Sequence, residues 1–193
     1  MHRKAILGLL ERYLDRHPNE LIMVDHIRQF VRVHDDCFER TCLEGHITAS
    51  AWVVSEDHQN ALFTHHAKLQ RWLQLGGHSD GQTDPFQVAL REAREESGMQ
   101  RFREASGADV PLPLDVDVHR IPERRAEPAH LHLDIRYLLI AEVGQPLVLT
   151  EESNDLRWIP VSEIAQWFDE ESLLRMARKV PALLGEGSAP PPG

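Results

Sequence analysis

The chain has 193 residues, of which 41% are hydrophobic, so it is long enough for one well-buried domain with an appendage. Its formal net charge is −10, from 31 acidic and 21 basic residues, which argues against a protein that holds nucleic acid through its phosphates. A small phosphorylated substrate is still allowed, because a bound divalent ion inverts the local field of an acidic site.

The N-terminal region predicts helices. Residues 2–16 and a second segment from Asn19 carry apolar residues at helical spacing. We expect residues 1–44 to form an N-terminal helical extension that serves as a cap on the core, a lid or a contact in a homodimer. Its apolar residues are interrupted at Glu11 and Arg12, so neither a signal peptide nor a membrane span is predicted. We therefore expect a cytoplasmic protein with no membrane partner.

The two cysteines, Cys37 and Cys42, have no matching pair elsewhere in the sequence. Their spacing allows a disulfide or a share in a zinc site. Two unpaired thiols in a reducing cytosol are the favoured interpretation.

Two predicted strands follow the extension. Residues 47–54 and 60–64 are rich in β-branched and aromatic residues and are separated by a polar turn. The next ten residues are the most basic stretch before the glycines. Within them, Lys68 and Arg71 are candidates to contact a substrate phosphate, and solvated loop charges are the alternative.

Two later segments, 116–121 and 130–140, alternate polar and apolar residues as strands do. In the second segment His130, His132 and Asp134 share one face. Polar residues often lie on a strand face because it meets water, which is the first interpretation. Contact with a substrate phosphate or carboxylate and a transition-metal site are the alternatives.

The C-terminal part predicts one more strand over residues 156–160, directly after an acidic loop. Helical spacing then begins at Val161, in two pieces around Asp169. Residues 185–193, rich in glycine and proline, are predicted to be a disordered tail.

Residues 75–99 hold the densest set of carboxylates at helical spacing in the chain, behind a Gly-Gly turn. Asp84 is suited to cap free backbone N–H groups, and Pro85 at the first helical position gives up only an unused donor. Gly98 supplies the left-handed residue that commonly ends a helix. The pattern predicts a helix over residues 85–97.

Three carboxylates of this helix, Glu92, Glu95 and Glu96, stand at i, i+3 and i+4, so they project from one face toward a common point. Like charges so placed repel each other unless a cation lies among them. Oxygen ligands suit a hard ion, Mg²⁺ or Mn²⁺. Arg91 is expected to hold Glu95 in place by an i, i+4 pair. A solvated helix face is the alternative interpretation.

From Gly77 to Met99 the segment resembles the signature of the Nudix hydrolases, G-x5-E-x7-R-E-U-x-E-E-x-G-U with U apolar. Thr83 stands where the signature has its first Glu. The matching residues are Gly77, Arg91, Glu92, Ala93, Glu95, Glu96, Gly98 and Met99.

The resemblance implies an α/β fold, an α/β/α sandwich with a mixed sheet over residues 45–184. It also implies Mg²⁺- or Mn²⁺-dependent cleavage of a nucleoside diphosphate linked to another moiety. The implied metal ligands are Glu92, Glu95, Glu96 and the Gly76 carbonyl. The catalytic candidates are Glu95, Glu96, Arg91 and Glu152, with Glu151 as the alternative to Glu152. The substrate-binding candidates are Lys68, Arg71, His78, His130 and His132.

Two functions other than hydrolysis are less consistent with the sequence. A binding module that senses a nucleotide without cleaving it is disfavoured because Glu92, Glu95 and Glu96 are all present. An isomerase acting on an allylic diphosphate is disfavoured because neither Cys37 nor Cys42 lies in the loop before the glycines.

Overall fold

The computed structural model of the chain describes residues 2–124, 128–151 and 153–185. The predicted tail at 185–193 lies outside these residues except for Gly185. The elements in chain order are α1 (Arg3–Arg16), α2 (Leu21–Val33), β1 (Gly45–Val54), β2 (Asn60–His66), β3 (Arg71–Leu73), β4 (Leu75–His78), α3 (Pro85–Ser97), β5 (Phe102–Glu104), β6 (Asp115–Ile121), β7 (His130–Ala141), β8 (Ser153–Pro160), α4 (Ile164–Trp167) and α5 (Glu171–Leu183).

The strands form one mixed sheet around a parallel pair, β1 and β7, whose register runs from Gly45 opposite Leu131 to Val54 opposite Ile140. The other neighbours of β1 are β4 and β2, both antiparallel to it. β6 and β5 pair with β7, and β8 and β3 pair with β2, all antiparallel. Because β1 is parallel to β7, the chain between them has to cross over, and α3 lies in that connection.

Side-chain alternation gives the sheet two buried faces. On one face, residues such as Ile47, Ala49 and Ile135 pack in one cluster with α1, α2 and α3. On the other face, residues such as Trp52 and Leu138 pack with α4 and α5. Helices therefore cover both faces, and the predicted α/β/α sandwich with a mixed sheet is confirmed.

The N-terminal helices belong to the same core as the sheet. Ile6 and Leu10 of α1 and Val24 and Ile27 of α2 are fully buried in the cluster that contains the β1 residues. These helices thus cover part of the sheet, which corresponds to the cap on the core among the three alternatives given above.

Both cysteines are free, as predicted, and both are buried. Burial raises the pKa of the Cys37 and Cys42 thiols to about 11, so both are protonated at neutral pH. None of the described helices combines the length and the apolar character that a membrane span requires.

Candidate active site

The helix that carries the three carboxylates begins and ends where the sequence predicts. The Asp84 carboxylate accepts a hydrogen bond from the Phe86 N–H at 3.0 Å, and Gly98 ends the helix with a φ of 76°. Val88, Ala89 and Ala93 on the inner side of α3 are fully buried in the core. This packing fixes how the carboxylates of α3 face β4.

Glu96 is anchored to the first glycine of the turn. Its carboxylate accepts a hydrogen bond from the Gly76 N–H at 2.9 Å, and the residue is only 7% exposed. A side chain at position 76 would overlap Ser50 on the neighbouring strand. Glycine is therefore needed here for the close approach of β4 to β1.

Glu92 lies directly against the second glycine. A Cβ atom added to Gly77 would be 2.6 Å from the Glu92 carboxylate, well inside van der Waals contact. The glycine thus leaves the space that the carboxylate fills. Together, Gly76 and Gly77 place two acidic side chains at adjacent residues of β4.

Arg91 makes the predicted i, i+4 ion pair with Glu95, at 3.7 Å, and it has two closer partners. Its guanidinium donates to the Glu92 carboxylate and to the His78 carbonyl, both at 2.6 Å. Helical spacing indicated the pair with Glu95, but it could not indicate that the end of β4 comes within reach of the guanidinium.

Glu95 is the most accessible of the three carboxylates, with 64% of its side chain exposed. Beside it lies an open depression of about 440 Å³, lined by Gln82, Gln87, Arg91, Arg94, Glu95 and Gln100. Glu95 can therefore meet a ligand or water without rearrangement of the core.

The loop between β4 and α3 is held in place by residues of the segment that precedes β1. Arg40 makes two hydrogen bonds to the Asp80 carboxylate, at 2.5 and 2.8 Å, and the Gly81 N–H donates to the Phe38 carbonyl at 3.0 Å. Thr83 lies in this loop, at the position where the signature has a Glu. Residues 38–40 thus support the loop, a contact that no local sequence pattern indicated.

The site fits a hard divalent ion. Glu92, Glu95 and Glu96 offer only oxygen donors, and the Gly76 carbonyl is a further oxygen on the strand that they face. Arg91 offsets part of the negative charge of this group. A divalent cation would offset more of it.

The basic candidates lie at the turn between β2 and β3. Lys68 is exposed, and the Arg71 guanidinium forms an ion pair with the Glu170 carboxylate at 3.5 Å. Ser153, the first residue of β8, pairs with His66 at the end of β2, which brings the acidic loop beside this turn. Glu151 is exposed there, and Glu152 lies outside the described residues.

The polar face of β7 is not a solvent-exposed face, because His130 and Asp134 are buried and His132 is half-buried, so the first interpretation is wrong. His130 is 8% and Asp134 4% exposed. The register places His132 between His46 of β1 and His119 of β6, which the sequence could not indicate because the three strands are far apart along the chain.

These side chains belong to a group that we call the histidine cluster: His46, His78, His119, His130 and His132. Neighbouring ring centroids are 4.9 to 5.5 Å apart. Burial, followed by the neighbouring imidazoles, lowers the pKa of His132 to about 2. Burial, followed by the Arg40 charge, lowers the pKa of His78 to about 4. At neutral pH these two rings are uncharged.

Asp134 belongs to a buried ion network that the sequence analysis missed. Its carboxylate accepts from Thr48 at 3.0 Å, Ser50 at 2.8 Å and Arg136 at 2.8 Å. Arg136 is 3% exposed. The carboxylates of the network are Asp115, Asp117 and Asp134, and its cations are Arg136, Arg175 and Lys179. Opposite charges are thus matched inside the sheet.

Replacing Asp117 by Asn is expected to lower the free energy of unfolding at pH 7 by about 2 kcal/mol, because Arg136 and Arg175 lose a buried counter-charge. Burial alone would raise the pKa of Asp117, but a hydrogen bond from His119 and the charge of Arg136 hold it well below its usual value. This stabilisation is present above the unfolded-state pKa and is lost as pH falls toward the folded-state pKa.

Urea unfolding at a series of pH values measures this effect. The difference between wild type and Asp117→Asn should shrink as pH falls below about 4. The matched control is Asp109→Asn, at an exposed loop residue, for which we expect little change. A difference that stays constant with pH would contradict the assigned role of the carboxylate.

Comparison with known proteins identifies the family and supports the fold. The NUDIX domain model matches residues 45–180. A probable DHNTP pyrophosphohydrolase of Lactococcus lactis subsp. cremoris (strain MG1363) is 36% identical over 96 residues, which are 50% of this chain and 54% of that protein. The chain thus spans about half the length of this curated relative.

Two solved structures share the fold. A NUDIX-family hydrolase from Clostridium perfringens has a TM-score of 0.57 at 22% identity, covering 72% of this chain and 97% of its own. A UDP-X diphosphatase has a TM-score of 0.53 at 11% identity and covers 93% of this chain and 92% of its own. The match to the family model covers well over half of the sequence, and the chain therefore belongs to the NUDIX domain family.

Proposed function

We propose that the chain is a pyrophosphohydrolase that uses Mg²⁺, or Mn²⁺ in its place, to cleave a diphosphate linkage in a nucleoside diphosphate linked to another moiety. The observation that carries the proposal is the placement of the Glu92 and Glu96 carboxylates against Gly77 and Gly76. The NUDIX domain match and the similarity to a pyrophosphohydrolase support hydrolysis of a diphosphate bond.

In the proposed site, Glu92, Glu95, Glu96 and the Gly76 carbonyl would hold the divalent ion. A bound ion of this kind supplies charge neutralisation for the diphosphate oxygens and lowers the pKa of a water ligand. The Gly76 N–H fixes the direction of the Glu96 carboxylate. Arg91 holds Glu92 through a short ion pair, and it is therefore a positioning residue.

A proton must leave the attacking water, and the site offers Glu95 and Glu96 to accept it. Glu96 has a fixed backbone donor, whereas Glu95 is exposed and only weakly paired. We therefore assign Glu95 as the carboxylate that accepts this proton. Glu152 is a second proposed base on the loop before β8.

Lys68 and Arg71 remain our proposed phosphate contacts. Arg71 would have to exchange its ion pair with Glu170 for a substrate phosphate. His78 is proposed to lie at the substrate side of the turn, because it follows Gly77 directly. The structure favours a different role for His130 and His132, which is argued below. A homodimer and a cytoplasmic location remain predictions from the sequence.

A substrate panel tests the proposed activity. Purified full-length chain with Mg²⁺ is incubated with DHNTP, ADP-ribose, dinucleoside polyphosphates, nucleotide sugars and nucleoside triphosphates, and the products are separated by anion-exchange chromatography. We include DHNTP because the relative is named for it. At least one compound should be cleaved at a diphosphate bond, and EDTA should stop the cleavage. Tight binding of a compound without any product would instead indicate a nucleotide sensor.

A further inference from the structure

Apart from His78, the histidine cluster has no part in the proposed hydrolysis, and its geometry is that of a second, chemically different site. Its members come from four strands, β1, β4, β6 and β7. Within it, one ligand nitrogen from each of His46, His130 and His132 lies within 4.8 Å of the other two. Three imidazoles therefore converge on one point.

One pair of these nitrogens has the spacing that a shared metal ion imposes. The Nε2 atoms of His130 and His132 are 3.3 Å apart. In a tetrahedral site with Zn–N bonds of about 2.0–2.1 Å, two ligand nitrogens are about 3.3–3.4 Å apart. These two rings thus need little movement to bind one ion.

The neutral His130 ring carries its proton on Nδ1, the nitrogen that does not face His132. The Nδ1 atom is 2.9 Å from the Pro128 carbonyl, which can only accept, so Nδ1 carries the hydrogen. The Nε2 atom is then unprotonated, and its lone pair points to His132. Imidazoles that bind metals usually donate their other N–H to a carbonyl or carboxylate in this way.

His46 is a buried polar side chain whose ring nitrogens are poorly satisfied. It is 4% exposed, and neither ring nitrogen makes a hydrogen bond of standard geometry among the described residues. Its ring lies 4.9 Å from His130 and 5.0 Å from His132. Leaving such a group unpaired is unfavourable, and a bound ion would give it a partner.

We infer that His46, His130 and His132 form a binding site for a transition-metal ion of the zinc type. Three imidazole nitrogens select Zn²⁺ and its neighbours over Mg²⁺, unlike the carboxylates behind Gly76. A fourth position is left for water or for His78, whose ring is 4.9 Å from that of His132. The inference holds whether or not the carboxylate site hydrolyses diphosphates.

Zinc binding to the full-length chain tests the inference. The protein is stripped with EDTA, desalted and titrated with Zn²⁺ against a chromophoric chelator. One equivalent should bind tightly and raise the thermal unfolding midpoint. His46→Gln and His130→Gln should each weaken binding by at least about 100-fold, whereas the control His26→Gln, at an exposed residue of α2, should not.

A measurement on the wild-type protein keeps the test decisive if a variant fails to fold. X-ray absorption of the zinc-loaded chain should show at least three imidazole nitrogens at about 2.0–2.1 Å. Failure to bind one equivalent would overturn the inference. So would a sulfur ligand, which would place the ion at His34, Asp36 and Cys42, or loss of zinc affinity in Glu92→Gln with retention in the histidine variants.

Discussion

Glu96→Gln is expected to lower kcat/KM for the best substrate of the panel by about 10³-fold, because it removes one negative charge from the proposed metal site. Gln has the shape of Glu and keeps an oxygen that can accept from the Gly76 N–H. The fold should therefore survive, and the loss should appear in catalysis. Initial rates at a series of Mg²⁺ concentrations measure the effect and show whether excess metal restores part of it.

The matched control is Glu142→Gln, which removes the same charge at a solvent-exposed pair with Arg101 outside the site. Exposed ion pairs contribute little, so activity and stability should both stay close to wild type. If Glu96→Gln retained full activity with an intact fold, the assignment of the carboxylates would be wrong.

Gly77→Ala is expected to lower activity by about 10²-fold, since displacing a catalytic group by about 1 Å has effects of this size. Gly77 does not have a positive φ, so alanine is allowed by the backbone. The obstacle is steric, because the new Cβ would be 2.6 Å from the Glu92 carboxylate. Glu92 must then move away from β4. Kinetics together with urea unfolding separate this local displacement from a loss of folded protein.

Gly8→Ala is the control for adding the same methyl group. Its Cβ would meet only the Arg12 side chain, at 3.7 Å. In a helix interior this change should raise stability by about 0.5–1 kcal/mol and leave activity unchanged. Equal activity of Gly77→Ala and wild type would show that the space beside Glu92 is not needed.

The parts of the fold that depend on local pattern could be predicted from the sequence. Asp84, Pro85 and Gly98 fixed the ends of α3 because capping and left-handed backbone are properties of single residues. Alternation along 130–140 located β7 for the same kind of reason. The resemblance to the Nudix signature then supplied the sandwich fold.

The environment of a side chain could not be predicted in the same way. Period-two spacing showed that His130 and His132 share a face, but not that His46 faces His132 from β1. Helical spacing predicted the ion pair of Arg91 with Glu95, but not the His78 carbonyl to which Arg91 also donates. Asp115 and Asp117 of β6, and Asp134 and Arg136 of β7, could each be seen in the sequence two residues apart. Only the strand register shows that they form one network.

The central claim is that the carboxylates behind Gly76 and Gly77 direct water at a phosphorus atom of a diphosphate. The most direct measurement is cleavage of the best substrate in ¹⁸O-labelled water with Mg²⁺, followed by mass spectrometry of both products. One ¹⁸O atom should enter a phosphate group for each bond cleaved, and Glu96→Gln should lower the rate at which labelled product forms. Cleavage without label in either phosphate product, or an unchanged rate of labelled product formation in the variant, would contradict the claim.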